Sequence, residues 1–120
     1  MSVRKVTSLE VAPWDVEVYT PQQGKQPFTE WLNSLKDTQG ANKILLRIRR
    51  IQLGNLGDHK FIADGVFELR MKFGQGYRVY FGKVEHRIIV LLCGGDKSSQ
   101  ERDIQQALQH WADYRGREDD

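Results

Sequence analysis

The chain has 120 residues, 39% apolar and 28% charged, with a formal net charge of +2, an ordinary globular mixture with one domain's length and one core. The charge is uneven: residues 1–97 hold 15 Lys and Arg against 10 Asp and Glu, and residues 98–120 hold 3 against 6, so the body is basic enough to admit a polyanionic partner. No apolar run approaches the roughly 20 residues that cross a bilayer, no secretory-type apolar stretch follows Met1-Ser2-Val3-Arg4-Lys5, and the lone Cys93 excludes an internal disulfide, so a cytoplasmic protein without a membrane partner is expected.

Residues 14–19 (Trp-Asp-Val-Glu-Val-Tyr) alternate between Pro13 and Pro21 and predict a half-buried strand. Pro27 suits a first helical turn, and Phe28, Trp31, Leu32 and Leu35 follow on one helical stripe. Residues 38–40 are expected to break that helix. A second helix is predicted from about Ala41, with Ala41, Ile44, Leu45, Ile48 and Ile51 facing inward, and Lys43, Arg47, Arg49 and Arg50 facing outward. Gly54 is placed to end it, and residues 55–60 read as a polar loop.

From Phe67 the period becomes two. Phe67, Leu69, Met71 and Phe73 share one face, and Glu68, Arg70 and Lys72 the other. Gly74-Gln75-Gly76 predicts a tight hairpin connection, Tyr77-Arg78-Val79-Tyr80-Phe81 the return strand, and the apolar run 88–93 a strand buried on both faces. Ser98-Ser99-Gln100-Glu101 matches a capping box before a last helix striped by Ile104, Ala107, Leu108 and Trp111. The order β-α-α-β-β-β-α, an N-terminal strand plus a three-strand meander with helices on the sheet, is α+β. A single domain is expected over 1–120, with 1–12 and 115–120 as flexible tails.

Four constellations carry chemistry. Glu68, Arg70 and Lys72, with Arg78 and Tyr80 from the next strand, ordinarily make a solvated sheet face with cross-strand pairs such as Glu68–Arg78. Yet three cations there meet one carboxylate, an excess that suits a phosphodiester, and Tyr77 and Tyr80 offer stacking surface for bases. Gly94-Gly95-Asp96-Lys97 precedes a helix, but lacks the spacing of a phosphate-binding loop. His59, His86, His110 and Cys93 have no metal-ligand spacing, so no metal or cofactor is expected. The basic face with Arg47 and Arg50 is either a solvated surface or a sequence-blind contact to an RNA backbone.

Phe67-Glu68-Leu69-Arg70, Gly74-Gln75-Gly76-Tyr77-Arg78-Val79-Tyr80-Phe81 and Leu91-Leu92-Cys93-Gly94-Gly95-Asp96-Lys97, in that order and spacing, resemble the HigB-like "addiction module killer protein" branch of the RelE/ParE toxin superfamily, often phage-derived. The resemblance spans roughly residues 14–114. It implies a microbial-ribonuclease-type sheet-and-helix fold, a ribosome-associated mRNA endonuclease, and a cognate helix-turn-helix antitoxin whose complex sets the oligomeric state. The implied cleavage is attack by the substrate 2′-OH, leaving a cyclic phosphate and a 5′-OH. Arg70 is similar in position to the family's phosphate-stabilising arginine. Arg78 stands as a second phosphate ligand or as the partner of Glu68, Lys97 as a transition-state cation or acid, and Lys72 and Lys60 as candidate bases if desolvated. Several relatives carry a tyrosine or a histidine–aspartate group in the C-terminal segment, where this chain has Asp103-Ile104-Gln105-Gln106, which leaves the base open. The alternatives on the same fold are a ParE-like gyrase inhibitor and a non-toxic RNA-binding module.

Overall fold

The computed structural model describes residues 13–118. The chain runs β1 (Asp15–Val18), α1 (Pro27–Ser34), α2 (Thr38–Gln52), β2 (His59–Ala63), β3 (Val66–Arg70), β4 (Arg78–Val84), β5 (Ile88–Gly95), a 3₁₀ turn (Lys97–Ser99) and α3 (Gln100–Glu118). This is the α+β class expected, compatible with a small RelE-like fold. The expected N-terminal tail lies outside the described residues, and 115–118 belong to α3 rather than to a tail.

The sheet has five strands in the order β1-β5-β4-β3-β2, one more than the meander predicted. The added strand is β2, at the sheet's edge and antiparallel to β3. β1 pairs parallel with β5 at the other edge, whereas the remaining pairs are antiparallel. The continuous run in β5 is buried on both faces, as its composition requires. Ile89 and Leu91 join a core with Phe28, Ile44, Ile48, Ile51, Leu69, Val79 and Phe81, beneath α1 and α2. Val90, Leu92 and Cys93 join Tyr19, Val66, Tyr80, Ala107 and Trp111, beneath α3. Burial pushes the Cys93 thiol up to about 12, so it packs as an apolar group rather than a nucleophile.

Three helical details differ from expectation. Thr38 and Gly40 open α2 instead of breaking a helix, because Asp37 caps it: Oδ1 accepts the Gly40 N–H at 2.9 Å. Leu45 is 49% exposed rather than inward. Ahead of the third helix Asp96, not Ser98, is the capping residue, at the 3₁₀ turn that leads into α3, accepting from the Ser98 N–H while Ser99 Oγ accepts the Asp96 N–H.

Asp37 also accepts from Tyr77 Oη at 2.8 Å, so one carboxylate ties the helical hairpin to the start of β4. The Gly40 N–H and then the Tyr77 hydroxyl hold its carboxyl below the usual carboxylate range. A carboxyl depressed in the folded state contributes stability above its unfolded pKa, and that contribution is lost as pH falls through the folded value. Melting temperature is therefore expected to drop below about pH 4, and less steeply in Asp37→Asn. Parallel pH–melting profiles for the two proteins would contradict this.

Candidate nucleic-acid interface

β3 ends where α2 passes over the sheet, and a cleft of about 620 Å³ opens between them. Lys43, Arg47 and Arg50 come from α2, and Arg70, Met71, Lys72 and Phe73 from the end of β3 and the residues after it; Leu46, Asn55, Gly57 and Asp58 complete the lining. Five cationic residues and one carboxylate thus line the cleft around an apolar floor. Like charges held together on rigid elements repel one another, and a polyanion relieves that repulsion.

Arg47 organises the cleft. It was expected on an outer face, but turns inward and is half-buried. Its Nη1 donates to the Arg70 carbonyl at 2.9 Å and its Nη2 to the Asp58 carbonyl at 2.8 Å. Gly57, at φ +72°, leaves room for this guanidinium, whose Nη2 would lie 2.8 Å from any Cβ there. Burial pulls the Arg47 pKa below its ordinary value, opposed by the charge of Asp58. Arg47 is therefore a strut that fixes the end of β3 against α2. Arg50 and Lys72 are exposed at the rim, and Lys43, which sequence placed only on a basic face, sits with Nζ 5.0 Å over the Phe73 ring.

Arg70 points to the other side of the sheet from Leu69. Its side chain is 43% exposed, and its Nε donates to Glu68 Oε1 at 3.2 Å. The face bearing Glu68 is not the solvated one expected: α3 covers it, and Glu68 is wholly buried. The anticipated Glu68–Arg78 pair forms, with Arg78 Nε 3.5 Å from Oε2, although the residue directly opposite Glu68 is Tyr80.

Arg78 Nη1 donates to the Gly76 carbonyl at 2.8 Å. Lys97 lies exposed in a shallow groove with Gly74, Gln75, Gly76 and Ser98; its N–H donates to the Gln75 carbonyl at 3.3 Å. Gly74 (φ +57°) and Gly76 (φ +73°) supply the left-handed turn expected of this hairpin. Arg78 and Lys97 thus meet at the β3–β4 loop, beside the larger cleft rather than inside it.

Two assignments need correction. Tyr77 and Tyr80 are 3% and 0% exposed, so neither presents a ring face to a base. Tyr77 packs edge-on against Trp31 and Phe73, and Tyr80 lies in the core under α3. Burial, with Glu68 beside it, pushes the Tyr80 phenol upward, and burial with Asp37 does the same to Tyr77, so both stay protonated donors. Lys60, opposite Glu68 in register, and Lys72 are both exposed, which denies each the buried setting a lysine base requires. His59 Nδ1 is 2.8 Å from the Gly57 carbonyl.

Among the described residues no group of three or more His, Cys, Asp or Glu side chains converges as a metal site, and no helix is long and apolar enough to cross a membrane. Residues 30–112 match the family described as "Phage derived protein Gp49-like (DUF891)", a span that includes α2, the cleft and most of α3. An uncharacterized protein of Haemophilus influenzae is 52% identical over 80 residues, covering 67% of this chain and 81% of the relative. The chain therefore belongs to the phage-derived Gp49-like family, within the addiction-module killer and RelE-like toxin group.

Proposed function

We propose that the chain is the toxin of a type II toxin–antitoxin module, of HigB-like type, and that it cleaves mRNA on the ribosome. The observation that carries this reading is Arg70, half-exposed at the end of β3, with four further cationic residues lining the cleft that the same segment borders. Such a surface grips a sugar–phosphate backbone with little regard for sequence. The 2′-oxygen attacks the adjacent phosphorus and surrenders its proton to a base. The P–O5′ bond breaks, O5′ takes up a proton, and a 2′,3′-cyclic phosphate and a 5′-OH remain. Charge builds on the phosphoryl oxygens, where Arg70 acts directly and Arg78 and Lys97 assist from the adjoining loop. Lys72, Arg50 and Lys60 hold the flanking backbone, and Arg47 keeps the cleft open. The reaction draws on no cofactor, and a cognate helix-turn-helix antitoxin is the neutralising partner.

A pulse of expression followed by primer extension tests this. Cuts at defined codon positions, dependent on translation and bearing 5′-OH ends, are expected within minutes. Intact mRNA would remove the reading. Intact mRNA with DNA damage would mark a gyrase inhibitor on the same fold, and unimpaired growth a non-toxic RNA-binding module.

A further inference from the structure

Among the described residues Glu68 is the one fully buried charged side chain, and every group around its oxygens is a donor. Gln100 Nε2 of α3 donates to Oε2 at 2.8 Å and Tyr80 Oη of β4 donates to the same oxygen at 3.3 Å. Arg78 Nε stands 3.5 Å from Oε2, but without hydrogen-bond alignment; it is the one buried side-chain nitrogen or oxygen described that has no hydrogen-bond partner. Oε1 is left to Arg70 alone, whose Nε reaches it at 3.2 Å.

The division of labour between the two oxygens is informative. Two neutral donors from different elements fix the carboxylate through Oε2, and the fixed carboxylate then holds the one half-exposed guanidinium through Oε1. A buried carboxylate is a poor device for stability alone, since apolar replacements of buried ion pairs are commonly neutral or better. Its value lies in orientation. An arginine tethered at Nε keeps its two terminal nitrogens as a planar fork, the geometry that meets two phosphoryl oxygens at once. A tethered side chain also has less rotamer freedom to lose when the ligand arrives.

We infer that Glu68 is a positioning residue, which sets the guanidinium of Arg70 toward the scissile phosphate without touching substrate, and that α3 takes part through Gln100. This rests on the reading of Arg70 as the phosphate ligand.

The test is Glu68→Gln, nearly the same shape without the charge. Three quantities are read: solvent exchange of the Arg70 Nε proton by NMR, affinity for an uncleavable 2′-deoxy-substituted oligonucleotide, and single-turnover cleavage by ribosome complexes. Exchange is expected to quicken at least tenfold and cleavage to slow about ten- to a hundredfold, while affinity changes less than about threefold. Adding Gln100→Glu returns a carboxylate to the network and is expected to recover part of the rate. Unchanged exchange and turnover in Glu68→Gln would overturn the inference, as would an equal loss of affinity and turnover. If that variant does not fold, Glu68→Asp carries the test, because it keeps the charge but withdraws Oε1 by one methylene; normal turnover there overturns the inference equally. Should Arg70→Ala cleave RNA normally, the reading of Arg70 fails, whereas the proton exchange in Glu68→Gln still reports whether Glu68 holds it.

Discussion

Arg70→Ala is expected to slow RNA cleavage about a hundred- to a thousandfold, the loss typical of removing one preorganised donor from a charge-stabilising site, and to abolish growth inhibition. Folding should survive. The Arg70 side chain is 43% exposed, so its removal leaves no core cavity, and the backbone stays fixed because Arg47 bonds the Arg70 carbonyl rather than the side chain. Glu68 keeps Tyr80 and Gln100, and the oxygen that Arg70 vacates becomes reachable by water. Arg70→Lys restores the charge without the fork and should recover only a minor part of the rate. Primer extension and doubling time after induction, with antitoxin pull-down as the folding control, measure all three proteins. Full cleavage by Arg70→Ala would move the chemistry to the Arg78–Lys97 groove.

How far the sequence foretold this site depends on what each signal measures. Alternation in residues 67–73 separated Leu69 and Met71 from Arg70 and Lys72 correctly, because pleat geometry alone sets that pattern. Alternation does not say what covers the polar side. Here α3 arrives from more than 30 residues away in sequence and seals Glu68 under Gln100, so a residue that reads as solvent-facing is buried. Tyr80 failed for the same reason, and Tyr77 because α1 covers it on the other face through Trp31. The cleft was half legible: its cations were recognised on two separate elements, but their meeting depends on Arg47 turning inward to two backbone carbonyls, a contact without a sequence signature.

The fold was more legible than its edges. β2 escaped notice because Phe61-Ile62-Ala63 does not alternate and the register shifts between Phe61 and Ala63; an edge strand with Phe61 59% exposed carries little burial pattern. Gly40 looked like a helix breaker. It is instead a position where Asp37 and the Tyr77 ring, whose Cε2 would lie 2.8 Å from a Cβ, press against the backbone. Glycine is there for closeness, not for a turn.

That use of glycine supports the second large expected effect, the loss of stability in Trp111→Ala. Trp111 is 3% exposed, and its six-membered ring lies flat against Gly82 of β4, where a Cβ would meet Cε3 at 2.5 Å and Cη2 at 2.6 Å. Its Nε1 would lie 2.7 Å from a Cβ on Gly65, at φ +89° in the β2–β3 turn, and Tyr114 stacks on the indole at 5.4 Å. On the opposite face of the sheet Trp31 of α1 lies as closely on Gly94 of β5, so each helical layer is seated by an indole in a slot that a glycine leaves open. Emptying a slot of that shape leaves a cavity the backbone cannot fill, and buried Trp→Ala changes cost about 3–5 kcal/mol. Against a total of roughly 5–15 kcal/mol for a domain, that lowers the melting temperature by roughly 10–25 °C at this size. Gly82→Ala should act in the same direction, since the added carbon collides with a ring that has no room to retreat. Because α3 also carries Gln100 to Glu68, cleavage by Trp111→Ala should follow the folded fraction as temperature rises. A melting temperature within a few degrees of the parent would show that α3 is held by its polar contacts, Gln100 to Glu68 and the Tyr19 hydroxyl to Asp113 at 2.6 Å, rather than by the indole.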